Sequence, residues 1–560
     1  MKINTQKEKE FVSLRPASEI MKLSRLGSFH QSKLSFLRSF IREFKDWEFK
    51  TEHFNLDNNG YGEIVYSLNF EEKHYSLICF ANDLDDSERS DRVIATKWDS
   101  SFVLFDGIPK QEDIQRLKNN VPLQEQGRTT FKELALSRAN KSVRTFEHVV
   151  NALAEGNQPD KQLLSKVGYL YRTTAVYGSG KFGLADRFRI SDRPELKGPF
   201  RLEMMLVYFV RKFTIDQVNH TAKAKNPSSA VKLDDDIARN LGIGNSTGLG
   251  MAPFIVNHPA LLHQWIVARE KALQIVRSIH RVSNEEIGVF QKYLEQSMDN
   301  METWVTDSEF QAKKNSSLKK DLKYFKSYFS ALTARDYFWN DVYLWASENM
   351  EDEGIEFIVS LMMEPYGKLV EPLCDDMSVD EDKYFTIEGS RSTQDIKKII
   401  ENYYQWLISV DFEEKENITN FWYYSKNKQE PRLSNRFEED GSENELPLAI
   451  ARDIKKLYLE ISKFAPKATI AEFLLSNQEL RYVVRRVLIC EKFPYSEIQD
   501  NTTADTIIPI DMLRLKLSYF GAIRFDPRSD LWLRITMYQG APLPHEMKFS
   551  DDSWAYRSLN

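Results

Sequence analysis

The sequence predicts an α+β protein that is predominantly helical: a small N-terminal antiparallel β-sheet, a large helical core with glycine-rich loops, and a short C-terminal β-hairpin. Three observations carry this expectation. Residues between Trp47 and Gly107 are rich in β-branched and aromatic types and are punctuated by turn residues. Most of the remaining chain repeats its apolar residues at helical spacing. Near the end, Leu531, Leu533, Ile535 and Met537 alternate with Trp532, Arg534, Thr536 and Tyr538, which is the period of a strand.

Taken in order, residues 1–45 read as an N-terminal helical arm, in which Phe36, Leu37, Phe40 and Ile41 share a helix face. Residues 46–108 form the small sheet. Its strands are expected at 62–70, 74–80, 93–96 and 102–105, with turns at Asn-Asn-Gly (58–60) and Glu-Glu-Lys (71–73). Residues 109–284 are assigned to a helical core. A helix is expected from Leu134 to Leu153, and two more at 203–224 and 260–282, the last opening on Pro259, whose missing N–H costs nothing in a first turn. Residues 285–465 read as an aromatic-rich helical region, broken by acidic stretches at 375–382 and 426–445. Residues 466–560 supply further helices and the hairpin, with 522–525 expected to pair with the alternating strand. No internal repeat of fixed period is present.

Composition narrows the function classes. Apolar residues make up 42% and charged residues 28% of 560, the balance of a globular chain with several cores. The net charge of −7 disfavours a wholesale nucleic-acid binder, because phosphate neutralisation needs a basic face. Cys79, Cys374 and Cys490 are too few and too scattered for a disulfide framework or a cysteine zinc site, and no metal site is read from the spacing. No apolar h-region opens the chain and no run approaches the length of a membrane span. A soluble, cytoplasmic protein with no membrane association is expected.

Glycine is the unusual feature. Of only 22 glycines, seven fall at 178, 180, 183, 242, 244, 248 and 250. The first cluster, Tyr-Gly-Ser-Gly-Lys-Phe-Gly (177–183), has the spacing G-x-G-x-x-G. Pro194 leaves too short a following helix for a dinucleotide fold, and Ala175 and Phe182 break the P-loop frame. What remains is an anion site, with backbone N–H groups at Gly178 and Gly180 and charge from Arg172 and Lys181. The alternative is a tight turn beside a solvated basic run. The second cluster, 241–254, sets Gly244, Asn245, Ser246 and Thr247 where they can floor a pocket. Alternatively, its glycines serve a helix cap and close packing. The pocket is favoured because a cap needs one glycine and this stretch has four.

His258 follows at a helix entrance and is the best-placed acid/base, with Tyr177 and Tyr171 as further proton-transfer candidates. Asp216 and His220, four apart, share a helix face; His263 is expected on an exposed one. The favoured function is a soluble enzyme acting on a small anionic or phosphorylated metabolite, held between segments 177–183 and 241–254. These segments are expected to meet in space. No motif names the reaction, the cofactor or a protein partner. The alternative is a non-catalytic scaffold that presents the aromatic region 320–425 to a partner.

Overall fold

The computed structural model describes residues 13–85, 87, 98–120, 130–173, 192–246, 259–304, 306, 309–378, 385–412, 414, 450–497, 514, 518–522, 524–526, 534–549 and 551–556. The chain divides into two compact units. One comprises Ser35–Gly250, Tyr293–Asp307 and Phe520–Asn560, and the other Met1–Leu34, Met251–Lys292 and Ser308–Tyr519.

The first unit is built on one nine-stranded sheet. Its strands are β1 (Glu48–Leu56), β2 (Gly62–Phe70), β3 (Lys73–Ala81), β4 (Ser100–Asp106), β5 (Glu133–Lys141), β6 (Tyr169–Thr173), β7 (Gly242–Ser246), β8 (Arg524–Asp526) and β9 (Arg534–Met537). The order is β1-β2-β3-β4-β5-β6-β7-β9-β8. The turns at 58–60 and 71–73 join β1 to β2 and β2 to β3. Asp57 Oδ1 accepts from the backbone N–H of Asn59 and Tyr61, and Gly60 takes φ +82°. Glu71 adopts φ 54°, the left-handed geometry that a two-residue hairpin turn demands.

This architecture corrects the expected fold class. The sheet is large rather than small, and the C-terminal strands are not a short hairpin standing apart. β9 pairs with β7 through Ile243↔Met537 to Ser246↔Arg534, and β8 forms the sheet's edge beyond it. The helix expected over 134–153 is half strand: β5 occupies 133–141 and helix begins only at Val143. Leu134, Ala135 and Leu136 favour helix in isolation, but β4 and β6 bond to both edges of this segment and tertiary pairing overrides propensity. The strand expected at 93–96 lies outside the described residues.

Among the described residues, α-helices accompany the sheet at α1 (Phe36–Phe44), α2 (Gln111–Asn120), α3 (Val143–Ala154), α4 (Lys161–Val167), α5 (Arg201–Lys225) and α6 (Asp235–Asn240). α5 covers the predicted 203–224 helix and is buried on all sides from Leu202 to Arg211, as a helix laid across a sheet interior must be. Phe209 stacks on Phe49 at 5.0 Å, and Phe213 meets Phe102 edge-on at 5.4 Å. A separate apolar layer forms where Ile114 and Leu117 of α2 pack on Val65, Ile78, Phe80, Val103 and Phe105.

The second unit is helical where described. α7 (Pro259–Arg277) starts on the predicted proline and buries Leu261, Trp265, Ala268 and Ala272. α8 (Asn284–Glu302) contributes residues to both units. α9 (Glu309–Ser330), α10 (Phe338–Asn349) and α11 (Asp352–Met362) turn their aromatic residues mostly onto one another. Phe290 packs on Phe329 and Trp339, Tyr328 stacks on Trp345 at 4.1 Å, and the Trp339 indole N–H donates to Tyr366 Oη at 2.5 Å. A distinct apolar cluster joins α12 (Thr393–Tyr403), α13 (Ile450–Ile461), α14 (Ile470–Ser476) and α15 (Arg481–Lys492) through Ile396, Ile400, Leu457, Phe473, Val483 and Val487. Capping boxes at Ser392 and Thr469 open α12 and α14.

Four of the buried charges in this unit form one cluster. Arg15 donates to both Glu270 oxygens at 2.8 and 2.7 Å and to Glu356 Oε1 at 2.7 Å, and Arg269 also pairs with Glu356. Burial alone would raise the Glu356 carboxyl, but Arg15 and Arg269 outweigh it and hold its pKa at about 2. His263, expected exposed, lies half-buried against Phe493 and Tyr495. Its Nδ1 accepts from the Tyr495 N–H at 3.1 Å, and burial pushes its pKa down to about 4. No described helix is long and apolar enough to cross a membrane.

Candidate functional site

Among the described strands, β6 and β7 form the one parallel pair in an otherwise antiparallel sheet. Parallel neighbours require a crossover, and here the intervening chain contains α5 and α6. The geometry has a direct consequence. The chain leaves β6 after Thr173 and β7 after Ser246 at the same edge of the sheet. Residues 177–183 and 247–254, which follow these strand ends in the chain, lie outside the described residues.

The register sets Arg172 opposite Gly244 and Thr173 opposite Asn245. Close approach dictates the glycines of β7. A Cβ at 244 would stand 2.8 Å from the Tyr169 ring and 2.9 Å from Arg172 Cγ. At 242 it would stand 2.2 Å from the Met537 carbonyl oxygen. So two glycines of the second cluster belong to a strand squeezed between two neighbours, and the stretch read as a loop begins as strand. Of Asn245 and Ser246, only the backbone is described.

Arg193 and Glu195 anchor elsewhere on the sheet, since the register sets Thr173 level with Ala139 and Ser100, at the start of β4. Arg193 pairs with Asp106 at the end of β4, and Glu195 accepts from Lys73 and the Tyr75 hydroxyl at the start of β3. Burial opposes charge on Glu195, but the bonds from Lys73 and Tyr75 prevail and hold its carboxyl below the usual value. Tyr75, buried beside that carboxylate, has its hydroxyl pushed well up, by burial first and then by Glu195. Beneath the edge, Thr173 Oγ1 meets Ser137 Oγ at 2.9 Å and donates to the Arg138 carbonyl. The Arg138 guanidinium lies 4.5 Å from the Trp98 ring centre, and burial lowers its pKa to about 10.

Of the residues singled out from sequence, the structure brings Tyr171, Arg172 and Gly244 together on β6 and β7. Tyr171 is fully buried; its hydroxyl donates to Gln217 Oε1 at 3.0 Å, and the Gln217 amide donates to the Gly60 carbonyl. Burial raises the Tyr171 pKa, so its proton is hard to remove at neutral pH. Tyr177, Gly178, Gly180, Lys181, Thr247 and His258 lie outside the described residues. Asp216 and His220 do not pair with each other. Asp216 accepts from Tyr66 and Lys212, and His220 bonds to the Asp57 carbonyl.

A cleft that the sequence does not anticipate lies elsewhere in this unit. At the opposite end of β7, this cleft of about 870 Å³ is lined by Arg239, Gln296, His545, Glu546, Phe549 and Trp554, among others. Arg211 of α5 braces its walls. The fully buried guanidinium donates to the carbonyls of Ala238, Arg239 and Leu241 on one segment and of Ala541 and Pro542 on the other. Burial lowers the Arg211 pKa to about 10. Asp235, His545 and Glu546 offer three metal-ligating atoms within 4.8 Å of one another beside this cleft. No local pattern could have signalled the cleft, because Arg239 and Glu546 lie 307 residues apart.

No protein-family model matches the chain, and no curated protein or solved structure matches it either.

Proposed function

We propose that the chain is an enzyme that binds a small anionic or phosphorylated metabolite at the edge where β6 and β7 end. One observation supports this reading above the others. The parallel pairing sets the carboxyl ends of β6 and β7, which lead toward the two glycine-bearing segments, side by side, with Arg172 opposite Gly244. In sheets with parallel strands, ligands settle outside the carboxyl ends, where the chain departs in loops. Backbone N–H groups in glycine turns are ready donors to an anion, and guanidinium or ammonium groups complete the neutralisation. In this reading Arg172 and Lys181 neutralise the ligand, Gly178, Gly180 and Thr247 donate to it, and Tyr177 and His258 carry protons. Tyr171, with its buried hydroxyl, serves as a support for β6.

The test is thermal stabilisation and calorimetry of the full-length chain with inorganic phosphate, nucleotides, CoA esters and common carboxylates. Binding of at least one of these is expected. Arg172→Ala, Lys181→Ala and His258→Ala should abolish the ligand-induced shift while the unliganded melting temperature stays nearly unchanged. If all three variants merely unfold, the glycine edge is structural and the proposal fails.

A further inference from the structure

We infer that Asp235, His545 and Glu546 form a binding site for one divalent cation of the zinc class, at the end of β7 away from the glycine edge. The donor set is one imidazole nitrogen and two carboxylates, with all three atoms within 4.8 Å of one another. Tetrahedral zinc holds its donors at about 2.0–2.1 Å, which sets neighbouring donors about 3.3 Å apart. His545 Nε2 already stands 3.4 Å from Asp235 Oδ2. Imidazole suits zinc-class ions, whereas magnesium and calcium prefer six or more oxygen donors, and this set has two carboxylates.

The frame is prepared for such a role. Asp235 precedes Ala238–Leu241, and His545 and Glu546 follow Ala541–Pro542, the two segments that the Arg211 guanidinium ties together. Orientation by a rigid surrounding shell is what metal ligands require. The open side faces the cleft that His545 and Glu546 line, which leaves room for a water or a ligand atom as fourth donor. The cleft wall carries independent, unmet bonding capacity. Trp554 is 5% exposed, yet its indole N–H has no partner among the described residues, and neither does Gln296 Oε1.

One contact competes with the cation. Glu546 Oε1 accepts from Arg239, while its Oε2 accepts from the Leu543 N–H at 2.9 Å. A bound ion takes Oε1 in place of Arg239, which retains Asp236. Removing the guanidinium therefore favours the metal.

The experiment is equilibrium dialysis of the chelator-stripped, full-length chain against zinc chloride, read by elemental analysis, with magnesium chloride in parallel. One zinc per chain is expected. Asp235→Asn and His545→Ala should each weaken binding tenfold or more without changing the metal-free melting temperature, since both side chains are more than half exposed. Arg239→Gln should tighten binding several-fold. The visible spectrum of the cobalt-loaded wild type, compared with His545→Ala, reads imidazole ligation independently of Arg239→Gln. No uptake by the wild type, uptake or a cobalt spectrum unaffected by His545→Ala, or equal occupancy by magnesium would overturn the assignment.

Discussion

Acid should weaken the second unit through one histidine. His30 is 2% exposed, with its ring set edge-on against Phe357 at 3.8 Å between centres. Burial pushes its pKa from 6.5 down to about 3, so the folded chain holds it neutral. Between these values the unfolded chain binds the proton and the folded chain does not, so stability falls as pH drops below 6.5. At pH 5 the unfolded histidine lies 1.5 units below its pKa while the folded one is still neutral. At about 1.36 kcal/mol per unit, the loss relative to pH 7 is about 2 kcal/mol. His263, with its pKa near 4, adds a similar slope in the same window, so a variant is needed to isolate His30. His30→Gln keeps a polar side chain but does not titrate, and any constant cost of the glutamine cancels in a pH difference. Urea unfolding of both proteins at pH 7 and pH 5, at fixed ionic strength, should show the wild type losing about 2 kcal/mol more than the variant. Equal losses would refute the claim that folding holds His30 neutral.

Three further perturbations read other parts of the structure. Arg15→Ala leaves Glu270 and Glu356 buried with a guanidinium missing, and should cost about 3–5 kcal/mol in denaturant unfolding at pH 7. Arg211→Met strips the donor from the Leu241 and Ala541 carbonyls, at about 1–3 kcal/mol each, partly offset by relief of a desolvated charge. A net loss of about 2–4 kcal/mol is expected from chemical denaturation, and an unchanged midpoint would mean that the two segments do not depend on it. Gly242→Ala drives a methyl into the Met537 carbonyl oxygen and should destabilise by about 2–3 kcal/mol. By contrast Gly288→Ala, in a helix with nothing within 4 Å, should stabilise by about 0.5–1 kcal/mol, as paired thermal melts can show.

Segments whose signal is local were legible before the structure. Phe36 to Ile41, Arg201 to Lys225 and the helix opening on Pro259 all carry their helical period within a few turns of their own sequence. The hairpin of β2 and β3 announces itself by its β-branched and aromatic residues and by the turn residues at 58–60 and 71–73. What misled was propensity without context. Gly-Ile-Gly-Asn-Ser is a poor strand on any scale, and it is a strand because β6 and β9 flank it so closely that only glycine fits at 242 and 244. Leu134 and its neighbours read as helix for the complementary reason, since nothing nearby in sequence reveals that β4 and β6 will claim both edges.

The candidate site divides along the same line. Glycine in a chain that uses it sparingly, set beside arginine and lysine, is a local anomaly, and it picked out residues 172 to 183 and 241 to 254 directly. That their leading strands lie side by side and parallel is a relation across some seventy residues of crossover, set by hydrogen-bond register. The cleft of Arg239, His545 and Glu546 had no local trace at all, since its walls are far apart in sequence and are joined by a buried arginine from a third element.

By itself, then, the sequence determined the helices, the hairpin of β2 and β3 and the glycine anomaly, because periodicity and turn chemistry act between residues a few positions apart. Only the tertiary structure decided that one sheet gathers nine strands, that Gly242 and Gly244 answer to Met537, Tyr169 and Arg172, and that Arg211 ties together the two segments behind a cleft. Those outcomes depend on which distant backbone presents its unpaired N–H and C=O groups, and pairing them is settled when the chain folds rather than by any residue's own preference.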